Sequence, residues 1–176
     1  MQAIESVIST TKLLNDTFTQ TNLQNQLKPG SLSVVHLATH GKFSSNPEET
    51  FIILWDKPLD LADLNNLLRI NDPNRTIELL VLSACETATG DKRAALGLAG
   101  VALQAGANST LATLWQVDDE STAELMSQFY HQLQAEPQIT KAEALRRVQL
   151  NLWKNQDKDW EVPFFWAAYV LVGNWL

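Results

Sequence analysis

Apolar positions along the chain follow two rhythms, short unbroken runs rich in β-formers and longer stretches spaced by three and four residues. Ser33 to Ala38 is a run of the first kind ending in Thr39-His40-Gly41, which predicts a buried strand that hands His40 to a following loop. Phe51 to Trp55 predicts a second strand, followed by Asp56-Lys57-Pro58 as a turn. Ile77 to Ser83 is the most apolar run and predicts a central parallel strand covered on both faces, ending just before Cys85. Ser109 to Trp115 and Phe165 to Val172 predict the remaining strands.

The helical rhythm fills the intervals. Ile4, Val7, Ile8 and Leu14 predict an amphipathic helix to about Asn15, broken by Asp16-Thr17. Thr19 is placed to cap a second helix that buries Leu23 and Leu27 and stops at Pro29-Gly30. Asp60 caps a stretch with Leu61, Leu64, Leu67 and Leu68 on one face. Leu96 to Leu103 predicts a helix apolar on most sides, closed by Gly106. Asp118 or Asp119 caps a helix with Leu125, Met126, Phe129, Tyr130 and Leu133 as its buried stripe. Thr140 with Glu143 has the spacing of a capping box, opening a helix that buries Leu145, Val148 and Leu152. Strands alternating with helices imply an α/β fold, a mostly parallel sheet with helices on both faces.

At 176 residues the chain suits one domain, read as a helical lead-in over 1–30 and a core over 31–176. Against 20 acidic residues stand 13 basic ones, a net charge of -7. That balance argues against nucleic acid and anionic membrane surfaces, which need a cationic face. No uninterrupted apolar run is long enough to span a bilayer, and the N-terminus has no basic, then apolar, export pattern. The lone cysteine excludes an intrachain disulfide and a multi-cysteine metal site, which points to the reducing cytoplasm and raises the question of a nucleophile. No metal and no cofactor is expected.

Two strands end in chemically useful groups, one in His40-Gly41 and one in Cys85-Glu86. The carboxyl ends of neighbouring parallel strands line one crevice, so the two can meet although far apart in sequence. A free thiol is only slightly ionised at neutral pH, and a nucleophilic Cys85 needs a base such as His40, which later protonates the leaving amine. The backbone N–H groups of Gly41 and Cys85 are candidate oxyanion donors. The bland readings are a buried structural thiol for Cys85 and a core histidine for His36. His131 is expected in solvent, Glu86 at a rim, and Trp153, Trp160, Trp166 and Trp175 in core or subunit packing. Thr87 to Ala94 reads as a polar loop in which Arg93 is a conceivable self-cleavage point.

The stretches His36-Leu37-Ala38-Thr39-His40-Gly41 and Leu82-Ser83-Ala84-Cys85-Glu86-Thr87 resemble the paired signatures of CHAT domains, caspase-like domains commonly joined to tetratricopeptide repeats. Gly97-Leu98-Ala99, Ala105-Gly106-Ala107, the run Leu114 to Asp119, Phe129-Tyr130, Ala144-Leu145-Arg146 and Trp166-Ala167-Ala168 extend the likeness. In the wider caspase-like group, which includes separases and gingipains, a His-Gly pair follows one strand and the nucleophilic Cys the next. Here the two are 45 residues apart, against roughly 50 in caspases. The resemblance implies a three-layer caspase-like fold and a cysteine endopeptidase working through His40 and Cys85 on a protein or peptide substrate. It also implies a tetratricopeptide-repeat partner or fused domain. The position of Trp115, Asp118 and Asp119 after a strand beside the cysteine strand resembles the place where caspase-like enzymes build the pocket for the residue before the cleaved bond, and an aspartate there would select a basic side chain. CHAT domains usually begin with further strands and helices upstream, so the expectation is that the N-terminal part of the domain is missing. A latent signalling or scaffold module and a non-peptidic acyl hydrolase are the alternatives.

Overall fold

In a computed structural model describing residues 10–27, 33–44, 46–68, 77–83, 86–87, 100, 106–155 and 157–176, the fold is mixed α/β. Its strands are β1 (Val34–Ala38), β2 (Gly41–Phe43), β3 (Phe51–Ile53), β4 (Pro58–Asp60), β5 (Leu79–Ser83), β6 (Glu86–Thr87), β7 (Ser109–Thr113) and β8 (Tyr169–Gly173). Its helices are α1 (Gln20–Leu27), α2 (Leu61–Leu68), α3 (Asp119–Ala135), α4 (Lys141–Trp153) and α5 (Pro163–Trp166). The chain divides into a sheet unit, Lys12–Gln116 with Val172–Asn174, and a helix unit that includes Val117–Leu171 and Trp175–Leu176.

The main sheet has the order β1-β5-β7-β8 and is parallel across β1, β5 and β7. The first four residues of β5, an unbroken apolar run, are buried, and β7 is buried throughout although Ser109, Thr110 and Thr113 are polar. Ile77 lies just outside β5 as an isolated bridge to Ala107. The last strand ends in the sheet unit, where the Asn174 N–H donates to the Asn108 carbonyl at 2.8 Å. Leu23 and Leu27 of α1, Leu64, Leu67 and Leu68 of α2, and Val35, Leu37, Leu80 and Leu82 of the sheet share one core. Burying a side chain of this size stabilises by roughly 2 kcal/mol.

A second, smaller sheet has the order β4-β3-β2-β6, with β2, β3 and β4 antiparallel and β6 parallel to β2. Here the structure departs from expectation. Pro58 opens β4 instead of closing a turn, which an edge strand tolerates because no partner needs the missing N–H. Thr87, expected in a loop, pairs with Phe43. β3 lies within the strand expected over Phe51 to Trp55, whereas β2, β4 and β6 are too short to show a period and exist through their pairing.

Helix starts follow local chemistry. Thr19 Oγ1 accepts from Asn22 N–H at 3.2 Å, Asp60 Oδ1 from Asp63 N–H at 2.7 Å, and Asp118 Oδ1 from Ser121 N–H at 2.9 Å. Thr140 likewise caps α4 through Glu143 N–H, but the return half of the box is not formed, because the Glu143 carboxylate binds Arg146 and Arg147 instead. In the helix unit α3 buries Leu125, Met126, Phe129 and Tyr130, and α4 buries Ala144, Leu145, Val148 and Leu152; Leu133 is only half-buried.

The helix expected to reach Asn15 does not cover 10–14, where Thr10 and Thr11 favour extended backbone; a 3-10 turn follows at Asn15–Thr17. Residues 1–9 and the helix expected over 96–103, apart from helical Gly100, lie outside the described residues. The last strand begins four residues later than expected, because Val162-Pro163 starts the short helix α5 with proline in its first turn. Of the late tryptophans Trp160 is buried, whereas Trp153 and Trp175 are exposed and Trp166 is half-buried. Gly106 turns into β7 at φ +102°, a conformation that favours glycine. Among the described residues no helix is long and apolar enough to cross a membrane.

Candidate active site

His40 lies in the short link Thr39-His40 between β1 and β2, exposed to solvent. Three hydrogen bonds hold this link. Thr39 N–H donates to the Ser83 carbonyl at 3.2 Å, continuing the β1–β5 ladder beyond its last pair. Thr39 Oγ1 donates to the Ile53 carbonyl at 2.6 Å, and Ile53 N–H donates to the His40 carbonyl at 2.7 Å. The histidine backbone is therefore fixed from both sheets while its ring stays open to water.

Gly41 follows at the start of β2, opposite Ile52. A Cβ built there would stand 2.7 Å from the Phe51 carbonyl oxygen and 3.2 Å from Ile52 Cα, so β3 leaves room for glycine alone. The close approach that the sequence suggested for an oxyanion is made here by the neighbouring strand.

Cys85 lies outside the described residues, as does Arg93; of Glu86 the backbone alone is described. The flanks of Cys85 are described on both sides. Ala38 pairs with Ser83 at the end of the main sheet, and Lys42 pairs with Glu86 in the smaller one, both in parallel. Residues 39–40 thus connect β1 to β2, and 84–85 fall between β5 and β6, the strands that pair with β1 and β2.

The surroundings set the charges. His36, in the middle of β1 and half-buried, is pushed down to about 4 by burial, so its ring is neutral near pH 7. Lys42 Nζ binds Glu49 Oε2 at 2.8 Å, and this hydrogen bond and charge hold the Glu49 carboxyl below its usual range. Thr50 Oγ1 is buried and bonds the Ser44 N–H and carbonyl, closing the loop between β2 and β3.

The other expected site residues are spread out. Trp115 stands half-buried just past the end of β7 in the sheet unit, while Asp118 and Asp119 belong to the helix unit. Asp118 is engaged as the α3 cap, and Asp119 is exposed. His131 is exposed, as expected. A cavity of about 480 Å³ in the helix unit is lined by Glu136, Ile139, Thr140, Glu143 and Arg147. It contains none of the expected catalytic groups; its Arg147 bridges Glu136 at 2.7 Å and Glu143 at 2.9 Å. Among the described residues no cluster of His, Cys, Asp and Glu could hold a metal ion.

Sequence reasoning missed Thr39 and Ile53, which position His40. A threonine directly before His-Gly at a strand end was the available signal for the first; the second depends on a hairpin pairing that no local pattern announces.

The family model of the CHAT domain matches residues 1–174. No curated protein matches the chain at a significant level.

Proposed function

The chain belongs to the CHAT domain family, a caspase-like, cysteine-peptidase-related group, and from that premise we propose that it is a cysteine endopeptidase with Cys85 as nucleophile and His40 as base. The observation that carries this reading is the double parallel pairing, β1 with β5 and β2 with β6, which flanks the His40 link and positions 84–85 on both sides. A Cys-His pair needs its two segments brought to one rim, and this pairing of the flanking strands supports that reading.

His40 takes the thiol proton as Cys85 sulfur attacks the scissile carbonyl. Backbone N–H groups of Gly41 and Cys85 hold the oxyanion, and the imidazolium gives its proton to the departing amine as the C–N bond breaks. Water, activated by the same imidazole, then hydrolyses the thioester and restores the thiol. The exposed ring of His40 on a pinned backbone suits both proton transfers. Selection of a basic residue before the cleaved bond by Asp118 or Asp119, with Trp115 lining the pocket, and coupling to a tetratricopeptide-repeat partner or fused domain complete the proposal.

Cys85→Ala should abolish cleavage of a peptide library while leaving the circular dichroism spectrum and thermal midpoint unchanged. Residual cleavage at the parent rate would refute the assignment. A library profile with no preference for Arg or Lys before the cleaved bond would remove the aspartate pocket.

A further inference from the structure

The outer face of the small sheet carries an apolar side chain directly beside His40. The register that pairs Gly41 with Ile52 sets Ile53 opposite His40, and the 2.7 Å bond from Ile53 N–H to the His40 carbonyl continues that ladder. Cross-strand neighbours of this kind have Cβ atoms about 5 Å apart. Side chains alternate along β3. Ile52 is buried in the core at 1 % exposure, and Ile53 faces outward at 43 %. Pro58 of β4 pairs with Ile53 and is also exposed, adding a second apolar surface to the same row.

The placement is selective. Among the described residues of the sheet unit the exposed large hydrophobics are Leu14, Ile53 and Trp55, so two of them lie in the segment that hydrogen-bonds to His40 or directly follows it. An apolar residue left 43 % exposed forgoes part of its burial energy; beside a base, it offers an apolar contact to whatever the base acts on.

We propose that Ile53, with Pro58 behind it, is a specificity subsite that takes a bulky apolar side chain on one of the two residues flanking the cleaved bond. The proposal rests on the endopeptidase reading and deepens it by naming a substrate feature. The occupant is a polypeptide, since the row is continuous with His40.

The test measures kcat/KM by mass spectrometry for the full chain and for Ile53→Thr, Ile53→Val and Cys85→Ala. The peptides carry Leu, Phe, Met or Ala at each flanking position. Threonine keeps the β-branched shape and the backbone bonds, so the sheet survives. The expected result is a loss of about 10-fold for Ile53→Thr on peptides with Leu, Phe or Met at one flanking position, and little change on the Ala peptides. Ile53→Val should stay near wild type. Cleavage that depends on Cys85 but keeps the same Leu-to-Ala ratio in Ile53→Thr overturns the subsite alone. Absence of cleavage by the wild type, or cleavage that survives Cys85→Ala, overturns the endopeptidase reading and the subsite with it.

Discussion

Acidification from pH 7.5 to 5.0 should weaken the fold through His36. In the folded chain burial holds this imidazole down to about 4 instead of its ordinary 6.5. The unfolded chain therefore takes up a proton near pH 6.5 that the folded chain refuses until about pH 4. Because the folded value is depressed, the stabilisation is complete above 6.5 and is lost as pH falls from there toward about 4. At 1.36 kcal/mol per pH unit the two values differ by at most about 3 kcal/mol, of which about 2 kcal/mol would be lost by pH 5.0. The assay is urea unfolding of the wild type and of His36→Gln at both pH values. Glutamine keeps a polar side chain but cannot titrate, while the remaining histidines and carboxylates contribute equally to both proteins. With a urea slope of about 1 to 3 kcal/mol per molar, the wild-type midpoint should fall by roughly 1 M more than that of the variant. Identical pH dependence in the two proteins would refute the argument that the β1 interior keeps His36 neutral.

Asp118→Ala should destabilise the helix unit by about 1 kcal/mol through loss of the α3 cap, read by thermal melting, whereas Asp119→Ala should leave the melting temperature unchanged. Gly41→Ala should cost roughly 1 to 3 kcal/mol in chemical denaturation, since the added methyl meets the Phe51 carbonyl of a paired strand at 2.7 Å. Thr39→Val removes the hydroxyl bond to Ile53 and should lower kcat severalfold with KM little changed, with Thr39→Ser restoring it, if Thr39 positions His40. Glu143, held down to about 2 by Arg146 and Arg147, should support α4 above the usual carboxylate range, and that support is lost as pH falls toward 2. Helicity of Glu143→Gln followed through an acid titration should lack this step.

Local chemistry was legible in the residues themselves. The caps at Thr19, Asp60, Asp118 and Thr140 each involve a side chain and an amide a few positions away. The apolar run of β5 announces a buried strand because nothing else hides four consecutive apolar side chains, and β1 and β7 were readable as strands although His36 interrupts the one and Ser109, Thr110 and Thr113 the other. His40 at the end of β1 was equally readable, since a strand followed by glycine has few ways to continue.

What only the tertiary structure decided is everything that depends on a distant backbone. The three-residue strands β2 and β4 exist through their pairing with β3, and Pro58 became part of an edge strand because an edge has no use for its N–H. Gly41 is required by the approach of β3, and Thr39 and Ile53 gained their roles from bonds between segments 14 residues apart. Which tryptophan is covered, Trp160 and not Trp153 or Trp175, also lay beyond local pattern. Periodicity reports which side of an element is apolar; the partner that covers that side, and the hydrogen bonds made on the way, are set by contacts the linear order does not contain.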